Sequence, residues 1–586
     1  MKILGVSGLE NSVTFKKAHW PDLDEREYRM CQGYDAAAAL VIDGAVVAAA
    51  AEERFNRTKH SGAFPIGAIR YCLSEAGISC REVDEIAHCF DYSPYKAAYA
   101  VDDIAVQRFR QVFSRDALLA LVQRDLPDVP VQRVYQVNHH LSHGASAYFT
   151  SGWDGCLVVV IDGMGEVHSA SVYHAQNGTL DKLHHLSALD SIGILYSLVT
   201  FHLGFDFNAD EYKIMGLAPY GDPERFRAFF DEAVLLRDQG SIRIPILRLN
   251  RSRDERENYL GTRQYLNAHL TKERRPDEAI TDEHRDVAAA LQACLDRALL
   301  HLCGHYGART GLRRLALAGG VALNCTANGH LLRAGLFDEI YVQPAAGDDG
   351  AALGAALYRA SQAGRVQNKR SPVPFFGPGY AMEEVNAALS EFRDLIAVVR
   401  FATFEETCWE AARLIAAGQV LAWYRGKMEF GPRALGHRSI LADPGQPEMR
   451  DRINAMVKKR EAFRPFAPAV SIEQVHQWFD VEPMTELPYM ILTVSVRERY
   501  RQALPAITHV NGSARVQTVS AGDNHEFHRL LRAVGKTTGR EMLLNTSFNV
   551  KGQPIVNTPR EALETFLRTG IDVLFMENVL VRRRTA

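Results

Sequence analysis

The chain has 586 residues, 47% of them hydrophobic, and a formal net charge of −3. That length carries roughly two to four domains, and the near-balanced charge gives no support to a nucleic-acid or membrane-surface role. The opening MKILGVSG is too short for a signal-peptide core, and no run of about 18 apolar residues predicts a membrane span. Nine Cys without a CxxC pair exclude a zinc ribbon and a disulfide scaffold, and predict a reducing, cytoplasmic setting with neither nucleic acid nor membrane as partner.

Two stretches share a plan. Residues 2–8 predict a strand, followed by a long loop and an apolar run over 36–53 that flanks Asp43-Gly44, a hairpin signal. Residues 156–187 predict a buried strand, a DGMGE loop, a second strand, an Asn177-Gly178 turn and a third strand. Helical patterns follow at 66–76 and after Thr281. A third glycine signal is LALAGGVALN (315–324), where Gly319-Gly320 permits close approach to a nucleotide before a helix. Together they predict a duplicated ATPase-type domain of the actin/sugar-kinase/Hsp70 kind, whose glycine loops, Gly163 included, grip phosphates.

His139 and His143 open the predicted helix HLSHGASAYF at i and i+4, so both project from one face. Two imidazoles at that spacing suit one metal ion, and carboxylates for it are available at Asp162, Asp348 and Asp349. Such a set suits Fe(II), Mn(II) or Zn(II), with Fe(II) first. The bland alternative is a pair of capping or hydrogen-bonded histidines. Asp35 and Asp162 follow strands, where acids hold a metal or orient an attacking group; turn aspartates beside glycine do neither. Lys59 in EERFNRTKH and Lys213 in EYKIMGLA are either phosphate contacts or surface lysines.

The polar stretch 363–374 reads as a linker, with a boundary near residue 370 between a domain of 1–365 and one of 373–586. Just beyond it, residues 425–464 hold ten Lys/Arg against five Asp/Glu, a difference of +5. The cations include Lys427, Arg433, Arg438, Lys458, Arg460 and Arg464, interleaved with Gly, Pro and apolar residues. That pattern predicts a folded anion pocket rather than a solvated face. Arg515, Asn545 and Ser547 lie downstream with side chains suited to a small planar group such as carbamoyl.

The ordered motifs EERFNRTKH, HHLSHGASAYF, VVIDGMGE, KIMGLAPYG, GGVALNCTANG, GDDGAALGAA, GPRALGHRS, VKKREAFRPFAP, ARVQT and LNTSFN run over nearly the whole chain. On them the chain resembles the NodU/CmcH family of carbamoyltransferases. The resemblance implies an α/β protein: an N-terminal actin/Hsp70-like (ASKHA) domain and a C-terminal YrdC-like domain. It implies that carbamoyl phosphate and ATP, with Mg2+, form carbamoyl-adenylate in the second. The first then transfers the carbamoyl group to a small-molecule hydroxyl acceptor, an antibiotic or sugar. It implies His139, His143, Asp162 and Asp348 as metal ligands, and Lys59, Asn324 and Asn328 as nucleotide contacts. It also implies Asp210 and Lys213 near the transferring group. Lys427, Lys458, Arg460, Arg515, Asn545 and Ser547 are implied in the activating site, with Arg433 beside them. A homodimer is left open. One departure stands out. The family carries Gly-His-Asp in its first loop, whereas this chain has Gly33-Tyr34-Asp35. A neutral phenol is a poor base, so Asp35 or His19 is the replacement, or the acceptor is unusual, or transfer is impaired. The insert 10–32, with Phe15, Trp20 and Tyr28, reads either as an acceptor-pocket element or as a surface loop. The rival functions are a tRNA threonylcarbamoyl-adenosine enzyme, against which the charge balance weighs, and a non-enzymatic scaffold.

Overall fold

A computed structural model describes residues 1–364, 366, 374–458, 461 and 463–584. The chain divides into two compact units, Met1–Asn56 with His60–Ser371, and Arg57–Lys59 with Pro372–Ala586. Both are mixed α/β.

The first unit builds one sheet plan twice. In the first copy β1 (Lys2–Val6), β2 (Ala37–Ile42) and β3 (Ala45–Ala51) form an antiparallel meander. Strands β4 (Glu85–His88) and β5 (Val134–Gln136) continue in parallel on the other side of β1, giving the order β3-β2-β1-β4-β5. The β2–β3 turn is Asp43-Gly44, with φ of 47° and 83°, the left-handed pair that a two-residue hairpin demands. The long loop predicted between β1 and β2 is instead a folded insert holding α1 (Asn11–His19) and a 3-10 turn, Glu27–Arg29. The buried face of α1 is Ser12, Phe15 and Lys16, so no apolar stripe marks it in the sequence. Polar contacts anchor it: the buried Lys16 Nζ donates to the carbonyls of Glu27, Met30 and Glu257 at 2.8, 3.0 and 2.6 Å.

After β5 comes α2 (His139–Ser151), capped by Asn138 and ended by Gly152 at φ 79°. The second sheet follows. Strands β6 (Gly155–Gly165), β7 (His168–Gln176) and β8 (Thr179–Ser187) form the meander; β9 (Arg314–Ala318) and β10 (Glu339–Val342) add in parallel beyond β6, in the order β10-β9-β6-β7-β8. Order and strand sense repeat those of the first sheet. The predicted DGMGE loop is shorter than expected: β6 runs through Gly165, and the chain reverses at Glu166, whose φ is 50°.

Four more helices matter: α3 (Glu211–Leu217), α4 (Asp282–Thr310), α5 (Cys325–Arg333) and α6 (Asp348–Gln362). Contrary to the reading that found no apolar span, α4 is long and apolar enough by composition to cross a membrane. However, 72% of its most apolar window is buried inside the protein, so that surface is spent on the core.

Helix α6 lies on β1 and β2, α2 lies on β6 and β9, and the two helices pack on each other. The layers are therefore sheet, helix, helix, sheet. Alanines and glycines make this close: residues 37–39 and 48–49 on the first sheet are all fully buried Ala. A Cβ on Gly354 of α6 would sit 1.7 Å from the Ser142 carbonyl of α2, and one on Gly5 would sit 1.9 Å from the Ala352 carbonyl of α6.

The second unit carries an eight-stranded mixed sheet of β11 (Ile396–Arg400), β12 (Leu421–Tyr424), β13 (Arg438–Ala442), β14 (Ala467–Ser471), β15 (Gln517–Val519), β16 (Met542–Ser547), β17 (Val573–Met576) and β18 (Val579–Arg583). Its order is β11-β18-β17-β12-β13-β16-β14-β15. Helices α7 (Phe404–Ala416) and α8 (His525–Thr538) bury Ala411, Ile415, Phe527 and Leu531 against Leu421, Trp423, Leu543 and Phe575 of the sheet.

Gly354→Ala tests the helix contact. The extra methyl meets backbone, which has no rotamer to yield, and overpacking of this kind costs about 1–3 kcal/mol or more. A lowered thermal unfolding midpoint is expected, together with reduced metal binding, since Ser142 is next to His143.

Candidate active site and metal centre

The α2–α6 contact brings His139 and His143, in the first turns of one helix, to Asp348, the first residue of the other. Asp162 arrives from the far end of β6. One ligand atom from each of the four lies within 4.8 Å of the others. His139 Nε2 is 3.1 Å from His143 Nε2, 3.4 Å from Asp162 Oδ2 and 3.3 Å from Asp348 Oδ1; His143 Nε2 is 3.6 Å from the same Asp348 oxygen. Such separations match the edges of a coordination shell with bonds of about 2.1 Å. Both imidazoles are fully buried.

The chemistry of the donors fits a cation. Two buried imidazole nitrogens lie 3.1 Å apart with carboxylate oxygens of Asp162 and Asp348 beside them, a donor set that a cation would satisfy. Burial opposes charge on His139, yet the carboxylates of Asp348 and Asp162 outweigh it and raise its pKa well above the ordinary imidazole value. Burial likewise opposes charge on Asp162, and His139 and His143 outweigh it, holding that carboxyl well below its usual range. The four residues thus form a pocket that asks for positive charge and offers nitrogen and oxygen ligands, as Fe(II), Mn(II) or Zn(II) require.

A second layer orients the ligands. His139 Nδ1 meets the Cys89 carbonyl at 3.1 Å, which puts the proton on Nδ1 and turns Nε2 to the cluster. The Gly320 amide donates to Asp162 Oδ1 at 3.0 Å, leaving Oδ2 facing His139. Glu166 accepts from the Asp91 and His139 amides, both at 2.9 Å, and from Asn138 Nδ2 at 2.7 Å, so it pins the start of α2. Burial pushes its carboxyl up to about 7. The sequence pattern alone gives Glu166 no role; its place immediately after the glycine that ends β6 is the signal it carries.

Asp349 parts company with its neighbour. It is buried and its Oδ1 accepts from the Gly350 amide, outside the four-ligand group. Burial first, then the charge of Asp35, pushes it up to about 7.

Other predicted contact residues are held by the fold. The Gly320 amide is committed to Asp162, and Gly319, at φ 93°, has no room for a side chain because a Cβ would sit 2.3 Å from the Ile161 carbonyl. The Gly163 carbonyl accepts from Ser191 Oγ at 2.6 Å, and the space beside its Cα is open. Asn324 caps α5 through the Ala327 amide and exchanges hydrogen bonds with Gln292. Asn328 is fully buried and its Nδ2 donates to the Ala322 carbonyl at 2.7 Å, in the turn after β9. Asp210 and Lys213 are brought together as an ion pair of 2.7 Å on α3. Lys59 belongs to the short segment Arg57–Lys59, which groups with the second unit.

Tyr34 is no base. Its hydroxyl donates to the Tyr28 carbonyl at 3.3 Å, and burial, with Cys31 next, raises its pKa further from neutrality. His19 is no substitute: its ring stacks on Phe15 and meets the Phe15 carbonyl at 2.9 Å and Gln107 at 3.3 Å. Asp35 instead meets His60, with His60 Nδ1 2.8 Å from Asp35 Oδ1. His60 lay unremarked inside the quoted EERFNRTKH. The insert 10–32 is a docked element, not a surface loop: Arg26 donates to the Phe201 and Phe205 carbonyls, and Arg29 to those of Phe207 and Asn208.

In the second unit, much of the predicted cationic pocket is structural. Arg425 forms a two-bond pair with Glu526 at 2.5 and 2.7 Å, and Arg452 pairs with Asp572. Arg438 is fully buried, stacks on Tyr424 and donates to the carbonyls of Arg425, His437 and Pro378. Arg450 and Arg464 pair with Asp451 and Glu461. The loop GPRALGHRS folds around Glu429, whose Oε1 accepts the amides of Leu435, His437 and Arg438. Asn545 is fixed too: it is buried on β16 and its Nδ2 donates to the Ala434 carbonyl and to Gln517, which in turn donates to the Leu435 carbonyl. Ser547 donates to Asn549, and Arg515 ends the strand Ser513–Arg515. Lys427 sits beside this loop, its carbonyl meeting His437 Nδ1 at 2.5 Å, while Arg433 lies within it. Arg460 and the side chain of Lys458 lie outside the described residues.

Comparison with known proteins gives this architecture its class. The family model described as carbamoyltransferase N-terminus matches residues 31–357, and that described as carbamoyltransferase C-terminus matches residues 412–583. The protein is an enzyme, a carbamoyltransferase. More narrowly, the chain belongs to the NodU/CmcH family. It is 40% identical to nodulation protein NolNO of Sinorhizobium fredii, over 100% of this chain and 83% of the relative. It is 35% identical to the 3'-hydroxymethylcephem-O-carbamoyltransferase of Streptomyces clavuligerus, over 42% of this chain and 44% of the relative. It is also 35% identical to nodulation protein U of Azorhizobium caulinodans, over 46% of each.

The ligand set has a direct test. His139→Ala and His143→Ala should each reduce bound transition metal from about one per chain to a small fraction, read by elemental analysis after dialysis. Asp349→Asn should retain it, and equal loss in Asp348→Asn and Asp349→Asn would overturn the assignment.

Proposed function

We propose that this protein is an ATP-dependent O-carbamoyltransferase acting on a hydroxyl of a natural-product acceptor, an antibiotic or a sugar. The observation that carries the reading is the pairing, within a carbamoyltransferase, of the four-ligand centre in the first unit with a separate α/β unit bearing Lys427, Arg433 and Arg515. The first unit's twice-used sheet order supports an actin/Hsp70-type (ASKHA) domain, spanning about residues 1–365; the second, 373–586, is read as a YrdC-like activating domain.

In the second unit, carbamoyl phosphate loses phosphate to water, giving carbamate. A carbamate oxygen attacks the α-phosphorus of ATP, carried with Mg2+, and pyrophosphate leaves with the electron pair of the broken P–O bond, giving carbamoyl-adenylate. Arg433, Arg515 and Lys427, with Lys458 and Arg460, neutralise the phosphates. Asn545 and Ser547, on the strand beside the Glu429 loop, line the carbamoyl end. In the first unit, the acceptor hydroxyl oxygen attacks the carbamoyl carbon and AMP leaves. His139, His143, Asp162 and Asp348 would hold the metal, Fe(II) first among the choices, which when bound orients and neutralises adenylate oxygens. Asp210 and Lys213 would act near the transferring group, and Lys59 would contact the nucleotide. The name of the cephem relative, an O-carbamoyltransferase, supports a hydroxyl acceptor.

Pyrophosphate release from ATP should depend on carbamoyl phosphate, and bicarbonate with threonine should not replace it. Arg515→Ala should abolish that release. His139→Ala should spare it and block formation of the carbamoylated product, detected by mass spectrometry across a panel of sugar and cephem alcohols. ATP turnover indifferent to carbamoyl phosphate would sink the reading.

A further inference from the structure

We propose that Asp35 takes the proton of the acceptor hydroxyl during transfer, and that His60 is the residue that positions it. This rests on the carbamoyl-transfer reading above.

Two loops are zipped together to make the pair. The Ala36 amide donates to the Ser61 carbonyl at 2.8 Å, the Leu9 amide donates to the Gly33 carbonyl at 3.1 Å, and a Cβ on Gly62 would sit 2.7 Å from that same Gly33 carbonyl. Asp35 and His60 both adopt left-handed backbone, with φ of 53° and 56°. Asp and His enter that conformation more readily than most residues, and here it turns both side chains toward each other across the two loops. His60 is fixed from two directions: its amide donates to Glu53 Oε2 at 2.9 Å, and its Nδ1 meets Asp35 Oδ1 at 2.8 Å.

Exposure decides which partner meets the acceptor. The Asp35 side chain is 40% exposed and that of His60 23%, while His60 Nε2 is buried and makes no hydrogen bond among the described residues. The imidazole therefore stands behind the carboxylate, the reverse of a Ser-His-Asp arrangement, in which the carboxylate stands behind the imidazole. Asp35 leads into β2, the strand on which α6 lies, and its charge helps push up the carboxyl of Asp349 on that helix. A positioned carboxylate that accepts a hydroxyl proton is the arrangement protein kinases use for their substrate alcohol.

The step balances. The acceptor oxygen forms a bond to the carbamoyl carbon and its proton passes to the Asp35 carboxylate. The bond from that carbon to the phosphate oxygen breaks, its electron pair leaves on AMP, and the proton on Asp35 then passes to solvent.

The test uses the full chain with ATP and carbamoyl phosphate, a 3-hydroxymethylcephem as probe alcohol, and AMP and pyrophosphate followed separately. Asp35→Asn should cut AMP release roughly 10²–10⁴-fold while pyrophosphate release in the first turnover persists. His60→Leu should lower kcat for AMP release by about tenfold or more, with little change in KM for the probe. His60→Asn, whose amide N–H can stand where Nδ1–H stands, should recover most of that loss. Asp35→Asn retaining transfer, or His60→Leu and His60→Asn falling equally, would overturn the proposal. So would loss of a second metal ion per chain in His60→Leu, because Asp35, Glu53 and His60 also present ligand atoms within 4.8 Å of one another. Absence of carbamoyl phosphate-dependent pyrophosphate release from the unaltered protein would instead remove the reading on which the proposal rests.

Discussion

The centre of the first unit depends on two helices touching backbone to backbone. Side chains of ordinary size at Gly354 and at the alanines beneath α6 would hold the helices apart. His139 and Asp348 would then be too far apart to share an ion. The ligands themselves supply no such closeness, because like-charged carboxylates and desolvated imidazoles do not assemble unaided. The small residues do, and the apolar sheets on either side lock them in place. The result is a site preorganised by packing, with its electrostatic demand for a cation built in before any ion arrives.

The second unit handles charge in the opposite way. A surplus of +5 over 425–464 reads as an anion pocket, but Arg425, Arg438 and Arg452 are spent on Glu526, on main-chain carbonyls and on Asp572. Arginine suits this use because its fork reaches several carbonyls while its plane stacks on an aromatic ring. Glu429 completes the pattern by filling a cup of three amides that would otherwise bind an anion. Several cations in this segment therefore shape the loop, and a charge count cannot tell these from cations that would meet a ligand.

The duplicated sheet was legible because apolar runs and Asp43-Gly44 and Asn177-Gly178 turns are local signals. The HxxxH pair was legible from helical spacing. Choosing Asp348 over Asp349 needed the direction of α6, since adjacent residues on a helix point about 100° apart. The insert was misread because a buried lysine on three carbonyls leaves no apolar trace. His60 was missed because its partner Asp35 lies on another loop, 25 positions away in the chain, and only the fold brings those loops together.

The repeat does more than supply a scaffold; it explains where the ligands come from. Helix α2 follows β5 in the first copy, and α6 follows β10 in the second, so the two occupy equivalent places. His139 and Asp348 are each the first residue of their helix. Equivalent strands also supply the orienting groups: the chain just past β4 offers the Cys89 carbonyl to His139, and the chain just past β9 offers the Gly320 amide to Asp162. Two copies of one plan thus face each other, one end presenting nitrogen and the other oxygen. The helix starts account for the difference. An acid at the N-terminus of α6 is favoured by the helix dipole; the same dipole at the N-terminus of α2 opposes an imidazolium, but the carboxylates of Asp348 and Asp162 still hold the His139 pKa well above the ordinary imidazole value. Glu166, clamped on the amides at that second terminus, tempers the effect and holds the helix in register with the strand that carries Asp162.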